Sequence, residues 1–161
     1  MAQQIEIREW PEERSEEWNE YITEHRFSIA WHSYDWKSVL DENYSYQLHP
    51  LAAVSGGRIC GVLPLYYYQT RLKKGALISV PFAVAGGIVS DSREVERALL
   101  DRAIELSDHY GGCRIVLKQY KHKVEGSLQT DAHYYNRELD LTVGETALWA
   151  GLADHNKTAL Q

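Results

Sequence analysis

The segment at residues 79–92, SVPFAVAGGIVSDS, constrains the fold most. It continues the apolar run ALIS, which reads as a strand, and it cannot carry that strand onward. Pro81 has no N–H to give a ladder, so the strand ends there or splays. Gly86 and Gly87 permit close backbone approach, by a neighbouring strand or by a ligand. Ser90, Asp91 and Ser92 then open the clearest helix in the chain, DSREVERALLDRAIELSDHYGG. Val95, Ala98, Leu99, Ala103, Leu106 and Tyr110 recur on one face of it. Asp91 and Glu94 make a capping-box pattern, and Gly111 and Gly112 end the helix. A strand passing through glycines to a helix N-terminus is also a design for anion sites. Here Asp91 would occupy the free amides and repel a phosphate, so the residues favour a structural turn over a phosphate cradle.

The remaining elements follow from periodicity and punctuation. QIEIREW alternates as a first strand. Pro11 and the glutamates after it predict a helix over about 12–25. Ser33 is read as the N-cap of a second helix reaching Asp41. NYSYQLHP is read as a loop. LAAVSGGRICGVLPLYYYQTRL is a hairpin turning on Gly56 and Gly57. Pro64 implies an edge position, a bulge or a splayed strand. CRIVLKQ and YNRELDL read as further strands, and GETALWAGLADHNKTAL as a last helix. Strands alternate with helices and include hairpins, so the class is α+β: a mixed, largely antiparallel sheet flanked by helices, in a single domain over residues 1–161.

Composition narrows the function. A net charge of −6 gives no broad positive face for DNA. Two local basic patches, RLKKG at 71–75 and KQYKHK at 118–123, are read as solvated loops or as contacts for an anionic substrate or an RNA end. No run approaches the roughly 18 apolar residues of a membrane span. The start of the chain shows no secretory pattern, so the expected compartment is the cytoplasm and Cys60 and Cys113 are expected as thiols. The seven histidines include no i,i+4 pair, so no metal site is expected. No Gly-x-Ser-x-Gly elbow or P-loop occurs.

Several of these residues carry a resemblance. ISVPFAVAGG, with Ser79, Pro81, Phe82, Gly86 and Gly87, resembles the S-x-P-F-x-x-x-G-G segment of FemAB-like proteins, which belong to the wider GNAT-type acyltransferase superfamily. SIAWHSYDW is similar to the family's early aromatic-His pair followed by Trp, here Trp31, His32 and Trp36. GGRICGVLPLYYY is similar to its x-G-x-L-P-L strand pair. These motifs span about 27–90 and are most similar to the FemAB-related branch found near exopolysaccharide and exosortase-type export systems. Members usually carry two GNAT-like halves, and this chain resembles the first. The GNAT pyrophosphate loop, (Gln/Arg)-x-x-Gly-x-(Gly/Ala), is absent from the sequence.

The resemblance implies a GNAT-like fold and transfer of an acyl group to an amine in cell-envelope, peptidoglycan or exopolysaccharide biosynthesis. The donor would be an acyl-CoA or an aminoacyl-tRNA, and the chain itself would hold no cofactor. The implied partners are a second GNAT-like half or a homodimer mate, with tRNA or an envelope precursor as substrate. Implied substrate contacts are Trp31, His32, Trp36, Tyr66, Tyr68 and Lys118, with Pro81, Phe82, Gly86 and Gly87 along the cleft. No catalytic residue is assigned. His32 is read as a base or hydrogen-bonding contact, or as a histidine tucked beside Trp36. Tyr66, Tyr67 and Tyr68 alternate across a strand, which suits a binding surface or plain sheet packing. The rival reading is a non-catalytic GNAT-like module that completes a cleft or binds a protein partner.

Overall fold

The computed structural model describes residues 4–70, 73–119, 122–131 and 137–159. They form two compact units, Met1–Thr130 and Asp131–Gln161. The first unit holds a sheet of β1 (Glu6–Glu9), β2 (Gln47–Ser55), β3 (Arg58–Thr70), β4 (Lys73–Ser79), β5 (Val89–Ser90) and β6 (Arg114–Val116). Its order is β1-β2-β3-β4-β6, with β5 also paired to β3. All pairings are antiparallel except β4 with β6. The helices of this unit are α1 (Ser15–Glu24), α2 (Trp36–Asp41) and α3 (Arg93–His109). The class is therefore the expected α+β one.

Burial explains the arrangement. β2 is buried on both faces, which is why LAAV does not alternate in polarity. Leu51 and Ala53 face one way, into a core with Leu63, Leu65, Leu77 and the Val95, Leu99 and Ala103 stripe of α3. Ala52 and Val54 face the other way, with Val62, Trp10 and the Trp18 and Ile22 of α1. Gly61 lets α3 lie close to the sheet, because a side chain there would strike Val95. Gly56 and Gly57 both take positive φ, 58° and 80°, as the tight hairpin turn requires.

Several boundaries differ from the sequence reading, each for a physical reason. The loop read at 43–50 is partly strand, since β2 starts at Gln47 and carries His49 and Pro50 into the ladder. The second helix starts later than its reading from Ser33. Ala30–His32 forms a 3-10 turn, and α2 starts only at Trp36, because the Ser33 hydroxyl accepts the Asp35 N–H instead of capping a helix. The cap of α3 is Ser92, whose Oγ accepts the Val95 N–H, and not Asp91. Asp91 turns aside to accept a hydrogen bond from the Tyr21 hydroxyl at 3.0 Å. Both cysteines are free thiols.

In the second unit, the strand read at 135–141 begins outside the described residues, and 137–140 take no regular structure. Leu141–Val143 forms a 3-10 turn. The last helix is broken into α4 (Glu145–Gly151) and α5 (Asp154–Ala159), with Leu152 extended between them. Among the described residues no helix is long and apolar enough to cross a membrane.

Candidate functional site

The site is an interruption in the sheet. β4 ends where Ser79 pairs with Leu65, and β5 resumes where Val89 pairs with Val62. Residues 80–88 leave the sheet between these points, opposite Leu63 and Pro64. Pro64 makes the departure cheap. It faces Pro50 across the β2–β3 ladder. The Pro50 carbonyl points away from β3, to the Trp10 N–H at 2.7 Å. Residues directly opposed in this way send their other backbone groups outward too, so the donor that Pro64 lacks belongs on the β4–β5 side. The proline thus sits inside a central strand, at the gap where that strand changes neighbour.

The ends of the excursion are tied down by residues 118 and 119. The Lys118 N–H donates to Ser79 Oγ at 2.8 Å. Its carbonyl accepts the Gly86 and Gly87 N–H groups at 2.9 and 3.1 Å. The Gln119 side chain copies a strand edge, since Oε1 accepts the Ile88 N–H at 2.9 Å and Nε2 donates to the Ile88 carbonyl at 2.8 Å. A side chain on Gly87 would collide with Gln119, which gives this glycine its reason.

His32 ties in a third element. Its Nε2–H donates to the Gly87 carbonyl at 3.2 Å, and Nδ1 accepts the Ile29 N–H at 3.1 Å. The Trp18 indole N–H donates to the His32 carbonyl at 2.8 Å. The ring is 1% exposed, and burial pushes its pKa down to about 4. Both ring nitrogens are engaged, so His32 is a neutral fastener and has no lone pair left for a substrate.

The middle of the excursion is strained and displayed. Val80 and Phe82 take φ of 44° and 63°. Positive φ is a rare state for a β-branched or bulky residue and costs on the order of 1–3 kcal/mol each. Pro81, Ala83 and Ala85 are buried, while Phe82 and Val84 are 64% and 73% exposed. Phe82 lies 4.7 Å from Tyr44 and 6.2 Å from Tyr46, and Tyr46 meets Tyr68 edge-on at 5.6 Å. Tyr66 lies beneath, fully buried with Leu40, Val80 and Ala83, and burial raises its hydroxyl pKa. Trp31 and Trp36 pack edge-on at 4.7 Å against this same cluster. Trp36 Nε1 is buried without a hydrogen-bond partner among the described residues.

The residues named from the sequence therefore converge, but in different capacities. Phe82 and Tyr68 contribute to the open aromatic surface. Tyr66 and Pro81 form its support, with Trp31 and Trp36 half-buried beside them. His32, Gly86 and Gly87 hold the loop ends. The Lys118 ammonium points at the loop itself, donating to the Ala83 carbonyl at 2.7 Å and the Val80 carbonyl at 3.4 Å, and burial lowers its pKa.

Two polar clusters were not legible beforehand. Tyr110 donates to His49 Nε2 at 2.9 Å, and His49 Nδ1 donates to Glu9 at 2.7 Å. His122 donates to the buried Glu96 at 2.5 Å. Their members come from distant parts of the chain, so no local spacing announces them. Among the described residues no three His, Cys, Asp or Glu side chains converge as metal ligands. Set against known proteins, the chain matches no family model and no curated sequence.

Proposed function

We propose that this chain is one half of a FemAB-like, GNAT-fold acyl- or aminoacyltransferase acting in cell-envelope or exopolysaccharide biosynthesis in the cytoplasm. In this reading a substrate amine attacks the acyl carbon of an acyl-CoA or aminoacyl-tRNA. The C–N bond forms, the thioester or ester bond breaks, and the amine proton passes to a base. A second GNAT-like half or a homodimer mate would complete the cleft. The observation that carries the reading is the excursion at 80–88. The residues bearing the family resemblance are those that expose Phe82 and Val84 and set Phe82 beside Tyr44 and Tyr46, with Tyr68 next to Tyr46. An exposed apolar surface rimmed by tyrosines suits a ligand or partner interface.

One observation favours the second reading, a non-catalytic GNAT-like binding module. His32, the one titratable side chain among the named residues suited to act as a base near neutral pH, is neutral and fully engaged. Titration of the chain with acyl-CoA thioesters and with aminoacyl-tRNA, followed by tryptophan fluorescence, separates the two. Saturable binding of one donor, lost in Phe82→Ala, supports the transferase half. Saturation by neither donor removes it and leaves the binding module.

A further inference from the structure

We propose that the Lys118 ammonium is the latch that holds the strap formed by residues 80–85 in its presenting position. The two ends of the strap are fastened without that ammonium. Ser79 is held by β3 and by the Lys118 amide, and residues 86–88 by the Lys118 carbonyl, Gln119 and His32. Between them the situation is different. Among the described residues, the side-chain hydrogen bonds that reach 80–85 are the two from Lys118 Nζ, to Val80 and Ala83, beside the local backbone turn at Pro81 and Phe82.

Three costs push against this position. Val80 and Phe82 hold unfavourable φ values. Phe82 and Val84 stand in water. The ammonium is drawn out of water and meets backbone carbonyls, which compensate a charge less well than a carboxylate does. The inward packing of Val80, Pro81, Ala83 and Ala85 and one charged hydrogen-bonding group together oppose these three terms, and of the two only the charged group reaches the loop carbonyls. Removing its charge leaves the ends in place and lets the middle relax, taking Phe82 off Tyr44. Loop fastening and aromatic presentation are thus controlled by one side chain, whatever the surface binds.

Cleavage by chymotrypsin after Phe82 in the native protein, measured beside the urea midpoint, tests this. Lys118→Met keeps the aliphatic stem and removes the charge. It should speed cleavage at Phe82 at least ten-fold beyond what any change in global stability accounts for. Lys118→Arg, which keeps a cation, should stay within about three-fold of the parent. Unchanged cleavage in Lys118→Met, or cleavage that rises only in step with global unfolding, overturns the proposal. A measurement on the parent chain covers the case in which the variant does not fold. Acetic anhydride rates corrected to the free-amine fraction, from the pH dependence of labelling at each site, should be at least ten-fold slower at Lys118 than at the exposed Lys123, and equal corrected rates would show that the ammonium is not held.

Discussion

Tyr66, Tyr67 and Tyr68 are consecutive in β3, yet they serve two opposite surfaces. Tyr67 projects to the α3 side and stacks on Tyr110 at 3.7 Å, nearly parallel. That side is closed by polar groups, because Tyr110 bonds to His49 and His49 to Glu9. Tyr66 and Tyr68 project to the other side. There Tyr66 is sealed into a core, and Tyr68 joins a surface whose outermost ring, Phe82, stays in water. The same residue type in one strand thus builds a satisfied interior and a presented surface. The difference lies in the neighbours: hydrogen-bonding partners close the first, and a strained loop holds the second open.

The comparison can be broken by substitution, most severely beneath the open surface. Tyr66→Ala should cost roughly 3–5 kcal/mol in urea unfolding, since it empties a fully buried site. A cost below about 1 kcal/mol would mean that Tyr66 is no part of the core. Acid gives the next effect. The folded pKa of His32, about 4, lies below the ordinary histidine value of 6.5, so the unfolded chain binds the extra proton more readily. The stabilisation is complete above about pH 6.5 and is lost as pH falls from there to about 4, by roughly 3 kcal/mol. A His32→Gln variant should show a flatter stability profile over that interval. An unchanged slope would place the titration elsewhere.

On the closed side, Tyr110→Phe removes the donor to a buried ring nitrogen of His49 and should cost about 1–3 kcal/mol. On the open side, Phe82→Gly relieves a positive φ and removes an exposed ring, so stability should move by less than about 1 kcal/mol. The same variant should lose ligand or partner binding. If Phe82→Gly destabilised more than Tyr110→Phe, the distinction between presented and closed surfaces would fail.

Much of the sheet was readable because its signals are local. Gly56 and Gly57 mark the hairpin, β4 ends two residues before Pro81, and the α3 stripe repeats at helical spacing. What could not be read depends on pairing at a distance. Pro64 reads as an anomaly until Pro50 is found opposite it. Asp91 looks like a cap until Tyr21 is seen to claim its carboxylate. The candidate site was partly legible for the same reason. Proline and glycines in residues 79–92 signal a departure from the sheet, but not that Lys118 and His32, remote in sequence, would fasten it. Whether Phe82 faced core or water depended on a positive φ that no side-chain pattern encodes.

The paired prolines have a consequence for how this chain tolerates change. The strand registers on either side of the gap pair Ser79 with Leu65 and Val89 with Val62, so β3 keeps one continuous course past the excursion. The sheet behaves there like a seam with a gusset let into it. Only its outward stitches, Phe82 and Val84, are free to vary, because Pro81, Ala83 and Ala85 turn inward and Ala83 belongs to the core beneath, so the presented surface can diversify by substitution while the seam stays aligned.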